Sequence, residues 1–93
     1  MKPDISVVIP LRNEGPNIAA LARRTLEALR NEPRELELIL VDDGSTDDTW
    51  QRIQEARRAD DRVRALRHGR SFGQSAALWT GFKVSQGGII ATL

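Results

Sequence analysis

The sequence predicts an α/β fold, a three-layer α/β/α, Rossmann-like arrangement in which a mostly parallel sheet of about four strands lies between three helices. Three observations predict it. Short runs of β-branched and aliphatic residues recur along the 93-residue chain. Segments with apolar residues at helical spacing separate these runs, and turns rich in Gly, Pro or Asp mark the boundaries. Such alternation favours parallel strands joined by right-handed crossovers.

The first half of the chain contains two predicted strands and one predicted helix. Residues 5–9 (ISVVI) are typical of a strand buried on both faces, which we expect to end at Pro10. Pro16 suits the first turn of a helix, where its missing N–H costs nothing. The apolar stripe of that helix is formed by Ile18, Leu21, Ala22, Leu26 and Leu29. Residues 36–41 (LELILV) form the second predicted strand.

A second helix is predicted after the turn at residues 42–48. Ser45 and Asp48 have capping-box spacing, which indicates a helix start. The apolar face of this helix is narrow and consists of Trp50, Ile53 and Ala56. Arg57 and Arg58 lie near its end, where cations interact favourably with the helix dipole.

The remaining elements are a weak strand at residues 63–66, a third helix and a fourth strand. Ser71 and Gln74 again have capping-box spacing and predict the start of the third helix. The apolar face of this helix is expected to consist of Ala76, Ala77, Leu78, Trp79 and Phe82. Gly87 and Gly88 end it, and residues 89–93 (IIATL) begin a buried fourth strand, inside which the sequence stops.

Composition excludes several classes of function. Fourteen basic and 13 acidic residues leave a net charge of +1, so we expect no nucleic-acid partner. Cysteine is absent, which excludes disulfides and thiolate metal sites. No apolar run approaches the roughly 18–20 residues that span a bilayer, and no signal-peptide core precedes the first strand. We therefore expect a cytoplasmic chain, with any attachment to the cytoplasmic membrane face supplied by parts outside it. The sequence sets no oligomeric state.

Polar clusters follow three of the predicted strands: residues 12–14 (RNE), 42–45 (DDGS) and 67–74 (RHGRSFGQ). Ligands of open parallel sheets bind outside the carboxyl ends of the strands. Because these ends share one rim, we expect the three clusters to form one binding site.

The pair Asp42 and Asp43 is the strongest single candidate within that site. A carboxylate directly after a buried strand can accept hydrogen bonds from a nucleobase N–H or from ribose hydroxyls, and Gly44 permits the sharp turn. The same residues also suit ordinary turn and cap chemistry, and the two interpretations are equally favoured by the motif alone. Arg70, before a helix start, is a candidate diphosphate contact or a surface cation. The loop from Pro10 to Glu14 either frames a base or is simply solvated.

Other familiar site types lack their signatures. There is no G-x-G-x-x-G after the first strand, no G-x-x-x-x-G-K-[ST] and no G-x-S-x-G. Paired acids also occur in phosphoacceptor receiver domains, but here no third acid follows the third strand. His68 is interpreted as a turn or surface residue with no ligand role.

Taken together, three blocks resemble the family 2 glycosyltransferases of the GT-A fold. The blocks are residues 6–10 (SVVIP) with 12–14 (RNE), residues 40–47 (LVDDGSTD) and residues 70–77 (RSFGQSAA). The third block is most similar to the polyprenyl-phosphate, dolichol-phosphate mannosyltransferase-like branch. The resemblance implies that Pro10, Arg12 and Glu14 line a nucleoside pocket, that Asp42 or Asp43 binds the base or ribose, and that Arg70 approaches the phosphates.

The resemblance also implies what this chain lacks. The family places an Asp-x-Asp element after the fourth strand to hold a divalent ion, Mg²⁺ or Mn²⁺, on the diphosphate, whereas this sequence ends at residues 91–93 (ATL). We therefore expect residues 1–93 to be the incomplete N-terminal part of a nucleotide-sugar glycosyltransferase domain with no metal of its own and no transferase activity alone. The parent would use a nucleotide-diphosphate sugar and, by the third block, a polyprenyl-phosphate acceptor. The alternative is a non-catalytic nucleotide-binding or interaction module.

Overall fold

The computed structural model describes residues 2–92. Four strands and three helices alternate along the chain as predicted, and each helix has 11 residues, or three turns. In order, the elements are β1 (Ile5–Leu11), a 3-10 turn (Gly15–Asn17), α1 (Ile18–Ala28), β2 (Leu36–Asp42), α2 (Thr49–Ala59), β3 (Val63–Arg67), α3 (Gln74–Val84) and β4 (Ile89–Thr92).

The four strands form one parallel sheet in the order β3-β2-β1-β4. The β1–β2 ladder runs from the pair Ile5 and Leu36 to the pair Leu11 and Asp42. The strand therefore continues past Pro10, contrary to our expectation. The ladder to β4 ends at Val8 and Thr92, so Pro10 pairs on one side only in the part that the structure describes, a position that a residue without an N–H tolerates.

Two hydrophobic cores lie on the two faces of the sheet and confirm the three-layer architecture. On one face, Ile18 of α1 and Ile53 of α2 pack against Leu38 and Leu40. On the other face, Ala77 of α3 packs against residues that alternate with these along the strands. Those residues are Val8, Ile39 and Val41. Because successive strand residues point to opposite faces, the continuous apolar runs of β1 and β2 supply both cores.

A buried polar network joins the sheet to the connection between α3 and β4. Glu37 of β2 accepts hydrogen bonds from Ser6 Oγ at 2.6 Å, Arg64 Nη1 at 3.0 Å and Gln86 N at 2.7 Å. Burial alone would raise the pKa of Glu37, but these donors outweigh it and hold that pKa below its ordinary value. Gly87 N donates to Ser6 Oγ at 2.9 Å, so the network fixes the path that leads into β4.

Both predicted capping boxes are wrong. The second and third helices begin at Thr49 and Gln74, and their N-caps, Asp48 and Gly73, make no side-chain capping bond. The two serines are instead used in tertiary contacts. Ser45 Oγ accepts from the backbone of the β1 loop, and Ser71 Oγ donates to a carboxylate at the end of β2. Partners distant in sequence therefore outcompeted the local cap.

Two predictions about burial are also wrong. Trp79 does not lie on the core face of α3, because its side chain is 62% exposed. Ala77 and Gly81 are the buried residues of α3 and face the sheet. Each residue turns the helix by about 100°, so Trp79, two residues from each of them, points away from the sheet. Strand β4 is exposed along its described length, since it lies at the edge of the sheet, beyond the cover of the helices. Leu93, the last residue of the predicted strand, lies outside the described residues. None of the described helices is long and apolar enough to span a membrane.

Candidate functional site

The three polar clusters meet at the carboxyl end of the sheet, as predicted, and Asn13 connects the first two. Its backbone has a positive φ of 54°, a conformation that Asn tolerates better than most residues. Asn13 Oδ1 accepts from Thr46 N at 2.8 Å, and Asn13 N donates to Ser45 Oγ at 2.8 Å. The loop after β1 is thereby fastened to the loop after β2.

Asp43 connects the second cluster to the third. Its Oδ1 accepts from His68 Nδ1 and Phe72 N, both at 2.8 Å. Its Oδ2 accepts from Ser71 Oγ and Gly73 N, both at 2.9 Å. Two oxygens carry about four acceptor positions, so every lone pair of this carboxylate is engaged. Burial would raise the pKa of Asp43, but these hydrogen bonds hold it well below its ordinary value, and the carboxylate is ionised.

Asp42 lies on the opposite side of the sheet from Asp43. Its side chain is fully buried, its Oδ1 accepts from Ser45 N at 3.0 Å, and its Oδ2 lies 3.8 Å from Arg67 Nε. This Oδ2 has no hydrogen-bond partner within residues 2–92. The Arg67 guanidinium also lies over the Trp50 ring, 5.4 Å from its centroid. The two neighbouring acids therefore serve separate environments and do not form a carboxylate pair.

A cleft of about 380 Å³ opens between the end of β1 and the start of α3. Its lining combines the three clusters and consists of Pro10, Leu11, Arg12, Asp43, Ser71, Gly73 and Gln74. A groove of about 380 Å³ also lies between α1 and α2, but it is mainly apolar and no residue of the three clusters lines it. A site that specifies a polar ligand needs convergent polar groups, so the cleft at the strand ends is the candidate site.

The structure brings together three of the six predicted site residues. Pro10, Arg12 and Asp43 line the cleft. Arg70 is exposed beside it, with its guanidinium 4.8 Å from the centroid of the Phe72 ring. The other two predicted residues, Glu14 and Asp42, do not line it. Glu14 is exposed and its Oε2 accepts from Asn17 Nδ2 at 2.9 Å, whereas Asp42 is buried on the other face.

His68 lies in the loop after β3, as predicted, but it is not a surface residue. Its side chain is only 12% exposed and bridges Asp43 to Thr80 of α3, with Nε2 2.8 Å from Thr80 Oγ1. A single residue in a loop has no periodic pattern from which its burial could be predicted. The contribution of Ser71 was also missed, because its spacing to Gln74 pointed to a helix cap. In both cases the decisive partner is Asp43, more than 20 residues away.

The described residues do not fit a divalent metal ion. No group of three His, Cys, Asp or Glu side chains in residues 2–92 is arranged to hold one. Asp43 has no free lone pair, and Asp42 is enclosed. The ion that the family resemblance implies has no ligand set in the described structure.

An α/β/α domain with a polar cleft at the carboxyl ends of parallel strands is of the ligand-binding class typified by nucleotide-binding folds. The chain belongs to glycosyl transferase family 2, whose family model matches residues 6–93. Its four-stranded sheet is that of the GT-A fold of these enzymes.

Relatives support the same family. The chain is 39% identical over 90 residues to an undecaprenyl-phosphate 4-deoxy-4-formamido-L-arabinose transferase of Proteus mirabilis (strain HI4320), covering 96% of this chain and 28% of that protein. The structure of S. aureus TarS in complex with UDP-GlcNAc is 26% identical, with a TM-score of 0.76, and the match covers 100% of this chain and 26% of that one. Glucosyl-3-phosphoglycerate synthase from Mycobacterium tuberculosis, in complex with Mn²⁺, UDP and glucosyl-3-phosphoglycerate, is 27% identical, with a TM-score of 0.73, covering 98% and 33%.

Proposed function

We propose that residues 1–93 form the N-terminal nucleotide-sugar-binding part of a glycosyltransferase that moves a glycosyl group from a nucleotide-diphosphate sugar to polyprenyl phosphate. The observation that carries the proposal is the cleft between β1 and α3, in which the three polar clusters converge. The chain spans 28% of the length of the Proteus mirabilis relative, which supports its being one part of a larger transferase.

The nucleoside diphosphate would lie along the cleft. Arg12 lines it and Arg70 stands exposed beside it, so two cations are available to the phosphates. The cleft also borders the first residue of α3, Gln74, and helix N-termini favour anions. Pro10 would bound the nucleoside end. This arrangement needs no metal ligand from residues 2–92.

Asp43 would act on the ligand differently from Asp42 and Glu14. Asp43 faces the cleft but already accepts four hydrogen bonds, so direct contact with a base or ribose would require one loop donor to leave. Asp42 and Glu14 would act on the pocket through the turns that they hold. Asp42 accepts from Ser45 N, and the backbone N of Glu14 donates to Thr49 Oγ1 at 2.9 Å.

The metal, the acceptor and the location extend the proposal to the parent protein. A related structure contains Mn²⁺ with UDP, so we propose that the parent uses Mg²⁺ or Mn²⁺ to stabilise the departing diphosphate, with ligands from outside residues 2–92. The name of the Proteus mirabilis relative supports undecaprenyl phosphate, a polyprenyl phosphate, as the acceptor. Such an acceptor would place the parent at the cytoplasmic face of a membrane.

Binding of a nucleoside diphosphate tests the role of the cleft. In an NMR titration of the 93-residue chain with UDP and GDP, the largest shift changes are expected at Arg12, Asp43 and residues 70–73. An Arg12→Ala variant should bind about tenfold more weakly, the effect of losing one charge-assisted contact. The matched control is Arg58→Ala at the exposed end of α2. Saturable shifts confined to other surfaces would contradict the pocket assignment.

The rival interpretation is a non-catalytic nucleotide-binding module. The two are separated by the coding sequence that follows Leu93 and by an assay of the parent protein. We expect an Asp-x-Asp within a few residues, and transfer from a nucleotide-diphosphate sugar to undecaprenyl phosphate that requires Mg²⁺ or Mn²⁺. A continuation without an acidic pair, together with nucleotide binding but no transfer, would favour the module.

A further inference from the structure

We propose that His68 is a positioning residue of the nucleotide cleft: its imidazole holds residues 71–73 against Asp43 and joins them to α3 through Thr80. The proposal rests on the proposed function, because the segment that it positions lines the candidate nucleotide site. His68 itself does not line the cleft and is not assigned a contact with the ligand.

Four contacts place His68 at the junction of β2, β3 and α3. Its backbone N donates to Asp42 O at 2.8 Å, which extends the β2–β3 ladder by one bond. Its Nδ1 lies 2.8 Å from Asp43 Oδ1, and its Nε2 lies 2.8 Å from Thr80 Oγ1. Its ring meets Phe72 edge-on, with centroids 5.5 Å apart and planes at 85°.

The hydrogen-bond partners assign the proton on the ring. An ionised Asp43 carboxylate only accepts, so Nδ1 of His68 must carry a hydrogen and donate it. Nε2 can then accept from the Thr80 hydroxyl, which is able to donate or to accept. The imidazole thus connects the carboxylate under the loop to the helix that follows the loop, and a hydrogen on Nδ1 is an expected property of the structure.

His68 affects the cleft because it and residues 71–73 donate to the same carboxylate, that of Asp43. Its Oδ1 receives both His68 Nδ1 and Phe72 N, while its Oδ2 receives Ser71 Oγ and Gly73 N. Loss of the imidazole would free a lone pair on a buried anion and remove the ring that packs on Phe72. The segment that supplies Ser71 and Gly73 to the cleft wall would then lose its fixed position.

Two amide substitutions separate the two ends of the ring. In His68→Asn the side-chain amide nitrogen takes the place of Nδ1 and can still donate to Asp43. In His68→Gln the amide reaches the place of Nε2 beside Thr80 and loses the Asp43 contact. Thr80→Val, in turn, removes only the contact to α3. These variants and wild type would be compared in the 93-residue chain by ¹H–¹⁵N spectra without ligand and by titration with UDP and GDP.

Both variants lose the ring that meets Phe72, so we expect the amide signals of Phe72 and Gly73 to move in both, and to move further in His68→Gln, which also loses the Asp43 contact. Binding of UDP or GDP should be weakened about tenfold in His68→Gln, the effect of one hydrogen bond to a charged group, and within about twofold of wild type in His68→Asn. The imidazole ¹⁵N shifts of wild type should report a hydrogen on Nδ1.

Equal amide shifts and equal affinities in the Asn and Gln variants would overturn the proposal, since they would reduce His68 to a packing residue. The ligand-free spectra decide this point without any nucleotide. If wild type binds neither UDP nor GDP while the Asn and Gln spectra differ as expected, the positioning of the loop stands and the nucleotide site fails. A wild-type imidazole in the Nε2–H tautomer would contradict the assigned hydrogen bond.

Discussion

The α-carbon of Gly44 lies directly against the peptide bond between Arg70 and Ser71. A Cβ built at Gly44 would overlap the carbonyl carbon of Arg70 and the nitrogen of Ser71, and would lie 2.7 Å from Arg70 Cα. Gly44 also has a φ of +67°, which side chains other than hydrogen disfavour. The loop after β3 can therefore reach Asp43 only because the turn after β2 carries no side chain at this position.

A Gly44→Ala substitution is expected to destabilise the chain by about 2–4 kcal/mol, since backbone strain and a backbone clash add together. The measurement is urea unfolding followed by circular dichroism. Gly73→Ala shows strain without a clash, because Gly73 has open space around its Cβ position and a φ of +101° with a ψ of 163°, a conformation almost confined to Gly. Gly69→Ala, with open space and no positive φ, should be nearly neutral. A loss of about 1 kcal/mol for Gly44→Ala, the cost of a left-handed conformation alone, would exclude the clash.

An Asp43→Asn substitution should weaken the attachment of residues 71–73 and reduce the pH dependence of stability. In the folded chain the pKa of Asp43 is lowered, whereas an unfolded Asp takes up a proton near pH 3.9. The unfolded state therefore binds more protons below about pH 5, and this part of the stability, complete above that pH, is lost as the pH falls. Wild type should lose more unfolding free energy between pH 6 and about pH 3 than Asp43→Asn.

The control for that measurement is Asp61→Asn, which changes an exposed carboxylate and should keep the wild-type slope. At neutral pH, Asp43→Asn is expected to lower the free energy of unfolding by about 2–3 kcal/mol. The donors that surround Asp43 bind two carboxylate oxygens, whereas an amide offers only one acceptor oxygen. If wild type and Asp43→Asn lost the same unfolding free energy between pH 6 and about pH 3, this carboxylate would not be the group responsible.

Gly81 is a contact point between α3 and the sheet. A Cβ there would overlap Cγ1 of the fully buried Val8. Gly81→Ala should therefore cost about 1–3 kcal/mol through overpacking, although Ala is the better helix former by about 1 kcal/mol. In a Val8→Ala background the clash is gone, and the same substitution should be neutral or stabilising. A double-mutant cycle by urea unfolding measures the coupling, and an unchanged cost in both backgrounds would contradict the close contact.

Glu37→Gln should loosen the connection into β4. The substitution leaves Arg64 without its charged partner, and an amide cannot accept from Arg64, Ser6 Oγ and Gln86 N as a carboxylate does. The free energy of unfolding is expected to fall by about 1.5–3 kcal/mol. Hydrogen exchange of the Gln86 and Gly87 amides should accelerate more than that of amides in α1. Glu35→Gln, at an exposed position two residues earlier, is the control. Unchanged exchange at Gln86 would show that Glu37 does not fix this segment.

Much of the architecture followed from patterns that are local in the sequence. The runs in β1 and β2 and the helical stripe beginning at Ile18 are readable because burial imposes a fixed spacing on consecutive residues. The meeting of the three polar clusters was also predictable, since the carboxyl ends of parallel strands share one rim. The links through Asn13 and Asp43 confirm that meeting.

What the tertiary structure alone decided is which partner each polar side chain takes. Asp42 and Asp43 are adjacent in sequence, but one is enclosed beside Arg67 and the other collects donors from the loop after β3. Ser71 had the spacing of a helix cap, and His68 had no pattern at all. Their hydrogen bonds to Asp43 join residues 25 or more positions apart, and only the packing of β2, β3 and α3 brings such groups within reach. The sequence by itself therefore determined the sheet, the rim and the residue types available there, and the fold determined how they are connected.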